Sequence, residues 1–270
     1  MTIGYGSNVL FPENDPVKAA TTGKEYEFTG WKGYVANMKV TKNLVFEPMF
    51  KTIFVIEAEE LDDLVDDNGT IQLTDTETEQ LGISKDIINA VSEKIANNPE
   101  VKDVEVKTQN GTIKLGSDVI EFLNERMNQD AELKELSIDV IKVDNASLDE
   151  LYQDVVKDRP TFDVTISGIE TFGGAKLTIG LKYDLKEGED PAHIRVWHIN
   201  EDGTIERFTC TYEDGYVYFE TPHLSYYTVV YEAPAVVDSP DERGFPMMYI
   251  GIAAVVAIIA ILAVVAVRRN

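Results

Sequence analysis

The sequence predicts a mainly β protein with an α+β middle module and a single C-terminal transmembrane helix. Three observations carry this expectation. From Thr161 to Glu232 short alternating strand-like runs are separated by Gly- or Asp-Gly-containing turns, the rhythm of an antiparallel β-sandwich. Between Thr52 and Pro160 the period changes, with stretches of helical spacing interleaved among strands. Finally, Met248–Val267 is a run of twenty residues with no charge and no proline, long enough as a helix to cross about 30 Å of hydrocarbon.

The N-terminal segment, residues 1–51, carries turn and strand grammar. Asp15-Pro16 and Thr22-Gly23 mark turns, EYEFTGW (Glu25–Trp31) alternates as a half-buried strand, and KNLVFEPMF (Lys42–Phe50) reads as another. The string containing Pro12, Asp15, Pro16, Tyr26, Phe28, Gly30, Trp31, Val40, Val45 and Phe50, with FTGW at its centre, resembles the internalin-type B-repeat. That family is a small β-grasp-like module arrayed in bacterial and archaeal surface proteins. The resemblance implies a structural or adhesive spacer with no catalytic residues. Its opening strand has no counterpart here, so the expectation is a repeat remnant that begins inside an array.

Residues 52–160 form the expected α+β module. TIFVIEA (Thr52–Ala58) is strand-like. Ser84 is placed to cap a helix that sets Ile87, Ile88, Val91 and Ile95 on one face, and Asn97-Asn98-Pro99 ends it. Asp103–Leu115 reads as a hairpin around Asn110-Gly111. Ser117 is the expected cap of a second helix bearing Ile120, Leu123 and Met127. The string NGTIxL occurs at Asn68 and again at Asn110, 42 residues later; it reads as recurrent turn vocabulary more readily than as a duplicated unit.

In residues 161–232 the expected strands are TFDVTISG, AKLTIGLKYDL, HIRVWHI, TIERFTCTY, YVYFE and LSYYTVVYE. The positions Asp190, Pro191, Val196, Asp202, Gly203, Phe219, Thr221, His223, Ser225 and Tyr227 resemble those of β-rich modules found just before the anchors of prokaryotic surface proteins, with Leu224 where that family often shows Phe. Together the two resemblances imply the C-terminal part of an adhesin-like cell-surface protein. A proline-bearing linker, 233–246, then leads to the transmembrane helix at 247–267 and a tail at 268–270. The expected anchor residues are Met248, Tyr249, Ile250, Val267, Arg268 and Arg269. Two arginines after the run against Arg243 before it place the C-terminus in the cytoplasm and the bulk outside. The start MTIGYGSNVLFP lacks the basic and apolar regions of a signal peptide, so a tail-anchored protein with a cytosolic domain is the competing reading.

With 24 Lys+Arg against 48 Asp+Glu the formal charge is -24, which repels phosphate backbones and argues against nucleic-acid partners. A single cysteine, Cys210, precludes an internal disulfide, and its alternation with Phe208 and Tyr212 points it at the core. No Walker loop, GxSxG elbow, HExxH or CxxC is present, so no enzyme, cofactor or metal site is expected. His193 and His198 fall on opposite faces of one strand, while His223 and Ser225 share a face and mimic a base–nucleophile pair; local turn and hydrogen-bonding roles are the simpler reading of that pair. The acidic stretch Glu57–Gly69 holds seven carboxylates. It fails the EF-hand pattern and reads as a solvated amphipathic turn, with Asp62, Asp63, Asp66 and Asp67 as the residues a weak calcium site would use. Sequons at Asn68, Asn110 and Asn145 offer glycosylation if the chain is exported. Trp197 and Tyr216 are candidate aromatic platforms for a glycan or surface-protein partner; the bilayer is the expected partner of the C-terminal helix.

Overall fold

The computed structural model describes residues 4–169, 171–200 and 202–233, and residues up to Ala233 belong to one folded unit. The expected anchor, including Met248, Tyr249, Ile250, Val267, Arg268 and Arg269, and all of the linker beyond Ala233 lie outside the described residues. Among the described residues no helix is long and apolar enough to cross a membrane.

The chain opens with loops gathered on an aromatic cluster. Phe11 stacks on Trp31 with centroids 4.8 Å apart and meets Tyr34 and Phe46 edge-on. Strand β1 (Lys24–Trp31) coincides with the expected EYEFTGW strand, and at Gly30 (φ +145°) its register against the next strand shifts in a bulge. That next strand, β2 (Pro48–Phe54), corrects two expectations at once. KNLVFEPMF and TIFVIEA are not two strands; one strand runs through residue 51, because Pro48–Phe54 is the stretch that pairs with neighbours on both sides. Phe46 is instead drawn into the aromatic cluster.

A 3-10 turn, Ala58–Leu64, buries Leu61 and leaves its acids outward. Then follow β3 (Thr70–Thr74), β4 (Gln80–Ser84), α1 (Lys85–Asn97), β5 (Asp103–Lys107), β6 (Gly111–Gly116), α2 (Ser117–Gln129) and β7 (Glu135–Lys142). Ser84 caps α1 as expected, its Oγ accepting from the Ile87 amide at 3.3 Å. Ser117 is the first helical residue of α2 rather than its cap; Gly116 occupies that position and makes no side-chain cap bond. Ile87, Ile88 and Val91 of α1 and Val119, Ile120, Leu123 and Met127 of α2 are buried, as the 3.6-residue spacing requires.

The remaining elements are a short helix, α3 (Glu150–Val156), and strands β8 (Thr161–Ile166), β9 (Leu177–Lys182), β10 (Ile194–Ile199), β11 (Ile205–Phe208), β12 (Thr211–Glu213), β13 (Tyr216–Thr221) and β14 (Tyr226–Tyr231). The run TIERFTCTY is thus two strands. The chain leaves one sheet after Phe208 and enters the other at Thr211, pinned at the crossing by the Cys210 thiol, which donates to the Ile194 carbonyl at 3.1 Å. Cys210, Phe208 and Tyr212 are only partly buried against the core, not enclosed in it.

The strands make an eight-stranded sheet, β1-β2-β4-β7-β8-β14-β10-β11, and a six-stranded sheet, β12-β13-β9-β6-β5-β3. All pairings are antiparallel except β2–β4 and β3–β5. Strands from either side of residue 160 are neighbours in both sheets, β7 with β8 and β6 with β9. The main hydrophobic core, with Leu81, Ile138, Val164 and Val196 from the first sheet and Val106, Ile113, Ile179 and Val217 from the second, lies between the sheets and takes in both long helices, while Leu148, Val156 and Ile199 form a smaller second cluster. Its continuity explains why so acidic a chain can hold a β-rich fold: alternation places the carboxylates outside.

Candidate functional site

Two of the three histidines meet where the hairpin β10–β11 approaches the turn between β13 and β14. Register brings them there. Alternation along β10 buries Ile194, Val196 and His198 on the core side, so His198 is only 9% exposed. Directly across the ladder on one side stands Glu206 of β11, and on the other Tyr227 of β14. Tyr227, fully buried, donates to the His223 carbonyl at 2.5 Å, and Thr221 donates to the same oxygen at 3.0 Å. These bonds fold the β13–β14 turn so that the imidazole of His223 lies over that of His198, centroids 4.6 Å apart. Phe208 packs against Phe219, Tyr227 and His223 and keeps that side apolar.

Glu206 Oε2 is 3.3 Å from His223 Nε2 and 3.5 Å from His198 Nδ1. The second nitrogen of each ring has its own partner: His198 Nε2 lies 3.0 Å from Ser225 Oγ, and His223 Nδ1 lies 3.3 Å from the Tyr227 hydroxyl. With the Tyr227 proton given to a carbonyl, the Tyr227 oxygen can accept from His223 Nδ1–H, while the Glu206 carboxylate, 3.3 Å from Nε2, can accept from Nε2–H; a neutral ring has one proton and makes only one of these two bonds. His198 Nδ1 is enclosed and has no hydrogen-bond partner. Burial, then the neighbouring His223, hold the His198 imidazole below its ordinary range against the pull of Glu206, while burial pushes the Tyr227 phenol far up and keeps it a neutral donor. Two ring nitrogens and a carboxylate oxygen therefore converge on one spot, an arrangement suited to holding a proton or a cation.

The sequence expectation paired Ser225 with His223; the structure gives Ser225 to His198 instead. His193 stays apart, edge-on to Tyr231 at 6.3 Å. Glu206 was the residue no motif announced, although it and His198 are equidistant from Asp202 of the Glu-Asp-Gly turn, which hairpin arithmetic alone makes a facing pair.

Other candidates divide between occupied and open groups. In the acidic stretch, Asp66 Oδ1 accepts from the Thr70 and Asn68 amides at 2.9 Å each and Oδ2 from Gln72 at 3.1 Å. These bonds, that from Thr70 foremost, hold its carboxyl below the usual range. Asp62 pairs with Lys94, whereas Asp63 and Asp67 stay exposed. Trp197 is half-buried, its ring faced by Arg159 and Arg207 at 5.2 Å each and its Nε1 donating to Glu232 at 3.0 Å; a glycan platform would first have to displace those guanidiniums. Lys107 covers Tyr216 at 4.9 Å. Among the sequons, Asn68 is exposed, but Asn110 is buried and its amide nitrogen donates to Glu79 and the Val140 carbonyl. The Asn145 amide nitrogen likewise serves the Lys157 and Arg159 carbonyls. In the folded protein the side-chain nitrogens of Asn110 and Asn145 are thus both committed to hydrogen bonds, while Asn68 stands exposed.

Fold and site together define a β-rich, two-sheet protein with a small polar cluster at one inter-strand junction. Comparison with protein-family models, with curated proteins and with solved structures finds no match for this chain.

Proposed function

We propose that this chain is a non-catalytic structural module of a prokaryotic cell surface, adhesin-like and held at the membrane by its C-terminal apolar helix, with the acidic β-rich part outside the cell. The observation that carries the reading is the continuity of the eight-stranded sheet. The β1–β2 hairpin, which holds the FTGW string of the B-repeat resemblance, and β8, β14, β10 and β11, which hold the anchor-proximal resemblance, are strands of one hydrogen-bonded sheet, and Phe54 of β2 shares a core with Phe162, Val196 and Val229. Such a body suits presentation of a partner-binding region at a distance from a bilayer better than it suits turnover. Its net charge of -24 keeps it soluble and away from anionic lipid. The partners on this reading are the bilayer itself and a glycan or protein of the surface.

The geometry also favours a second reading that can be tested directly. Glu206, His198 and Ser225 lie in the order of a hydrolase triad, although the His198–Glu206 separation of 3.5 Å is too long for a hydrogen bond. The triad needs the proton on His198 Nδ1, the tautomer opposite to the one in which Nε2 donates to Ser225. Protease shaving of intact cells, with mass spectrometry of the released peptides, tests the surface reading. Peptides from residues 52–232 are expected before lysis, and their release only after lysis would favour the tail-anchored cytosolic alternative. Hydrolysis of model esters by the native chain, abolished in Ser225→Ala, would displace the non-catalytic reading.

A further inference from the structure

We propose that His198, Glu206 and His223 form a binding site for one divalent transition-metal ion of the zinc type. One potential ligand atom from each residue lies within 4.8 Å of the others. Zinc bonds to imidazole nitrogen and carboxylate oxygen of about 2.0–2.1 Å imply ligand–ligand separations near 3.3–3.4 Å in a tetrahedron. Two of the three edges are already 3.3 and 3.5 Å, from Glu206 Oε2 to His223 Nε2 and to His198 Nδ1. The third, between the two ring nitrogens, lies within 4.8 Å, and binding would require it to shorten through a small turn of the His223 ring, the more exposed of the two imidazoles.

The buried nitrogen supplies the independent argument. His198 Nδ1 is enclosed without a hydrogen-bond partner, a condition that ordinarily costs about 1–3 kcal/mol. A cation between the rings satisfies it. The outer contacts also match the requirements of metal-ligating histidines, whose second ring nitrogen donates to an oxygen that fixes tautomer and orientation. Ser225 Oγ stands at 3.0 Å to accept from His198 Nε2, and the Tyr227 oxygen at 3.3 Å to accept from His223 Nδ1. Both rings then present lone pairs to the same spot. Two imidazoles and one carboxylate favour zinc, cobalt or nickel over calcium or magnesium, which prefer all-oxygen sets. The fourth position is left to water or to a partner's ligand. Because the ligands come from β10, β11 and the turn joining β13 to β14, the ion would clasp the two sheets at that junction.

Titration of the detergent-solubilised full chain with zinc chloride, followed by calorimetry, tests this. The expected result is one site per chain and a rise in thermal midpoint of about 5 °C or more at saturating zinc. Glu206→Gln and His223→Gln should each weaken that site at least tenfold while keeping the wild-type circular dichroism spectrum. Asp62→Asn with Asp67→Asn, which alters the acidic stretch, should leave it unchanged. Zinc isotherms identical in wild type and both ligand variants would show general attraction to an acidic surface and overturn the proposal. If either ligand variant fails to fold, cobalt(II) on the wild-type chain decides. Tetrahedral d–d absorption displaced by stoichiometric zinc supports the site, and its absence overturns it.

Discussion

At the scale of single residues, the twin NGTIxL strings show how one short pattern can serve two purposes. At the first, Gly69 has φ +81°, and a Cβ there would stand 1.8 Å from the Glu100 carbonyl oxygen. At the second, Gly111 needs no unusual φ; it is the first residue of β6, and a Cβ would press to 2.6 Å on the Gly180 carbonyl of the neighbouring strand. Glycine is required twice, for torsion plus contact in one place and for close strand approach in the other. Gly69→Ala should therefore destabilise the fold by at least about 2 kcal/mol. Gly33→Ala, with φ +77° but nothing within 4 Å of the added methyl, should cost about 1 kcal/mol from torsion alone. Urea denaturation of both variants checks the difference; equal losses would mean that the Glu100 backbone yields freely.

At the scale of elements, the true internal likeness lies elsewhere than in the twin strings. Helices α1 and α2 are both of 13 residues, start 32 residues apart, and each follows a strand directly and carries the chain across to the other sheet. Asp86, Ile87, Ile88 and Val91 correspond to Asp118, Val119, Ile120 and Leu123 at that offset. The helices were legible because their apolar spacing answers only to the core beneath them, and β8, β9, β10, β13 and β14 were legible because alternation and Asp-Gly turns agree. What stayed illegible was pairing. The parallel neighbours β2 and β4, the change of sheet at Thr209-Cys210 and the place of β2 across residue 51 depend on partners distant in sequence, which local propensity does not encode. The same holds for the histidine cluster: His198 and Glu206 are a local hairpin pair, but His223 joins them only because Tyr227 bonds its carbonyl. A sharper difference separates the two helix starts, since Ser84 caps α1 and Gly116 offers α2 no side chain. Ser84→Ala is expected to lower stability by about 1 kcal/mol, with hydrogen exchange rising first at the Ile87 amide. A loss confined to noise would mean that water replaces the cap at no cost.

For the whole molecule, the decisive feature is that neither half of the described chain owns a complete sheet. Within 161–232 the strands form two antiparallel groups, β8-β14-β10-β11 and β12-β13-β9, which alone would leave β8 without β7 and β9 without β6. Both lost neighbours are core strands: Ile138 and Val140 of β7 and Ile113 and Leu115 of β6 are fully buried. Cutting at residue 160 would expose those side chains together with the facing edges of β8 and β9, unpaired edges that invite aggregation. Shared burial of this kind makes folding cooperative across a boundary that composition alone suggests. The protein should accordingly unfold in one transition, with calorimetric and van't Hoff enthalpies equal and with tryptophan fluorescence and far-ultraviolet circular dichroism superimposing, even though Trp31 lies in β1 and Trp197 in β10. A fragment of residues 161–232 expressed alone should show no cooperative melt. Two separated transitions, or a fragment that melts at the temperature of the full chain, would mean that the continuous sheet is a junction of independently stable parts and would remove the main support for reading the molecule as a single presenting body.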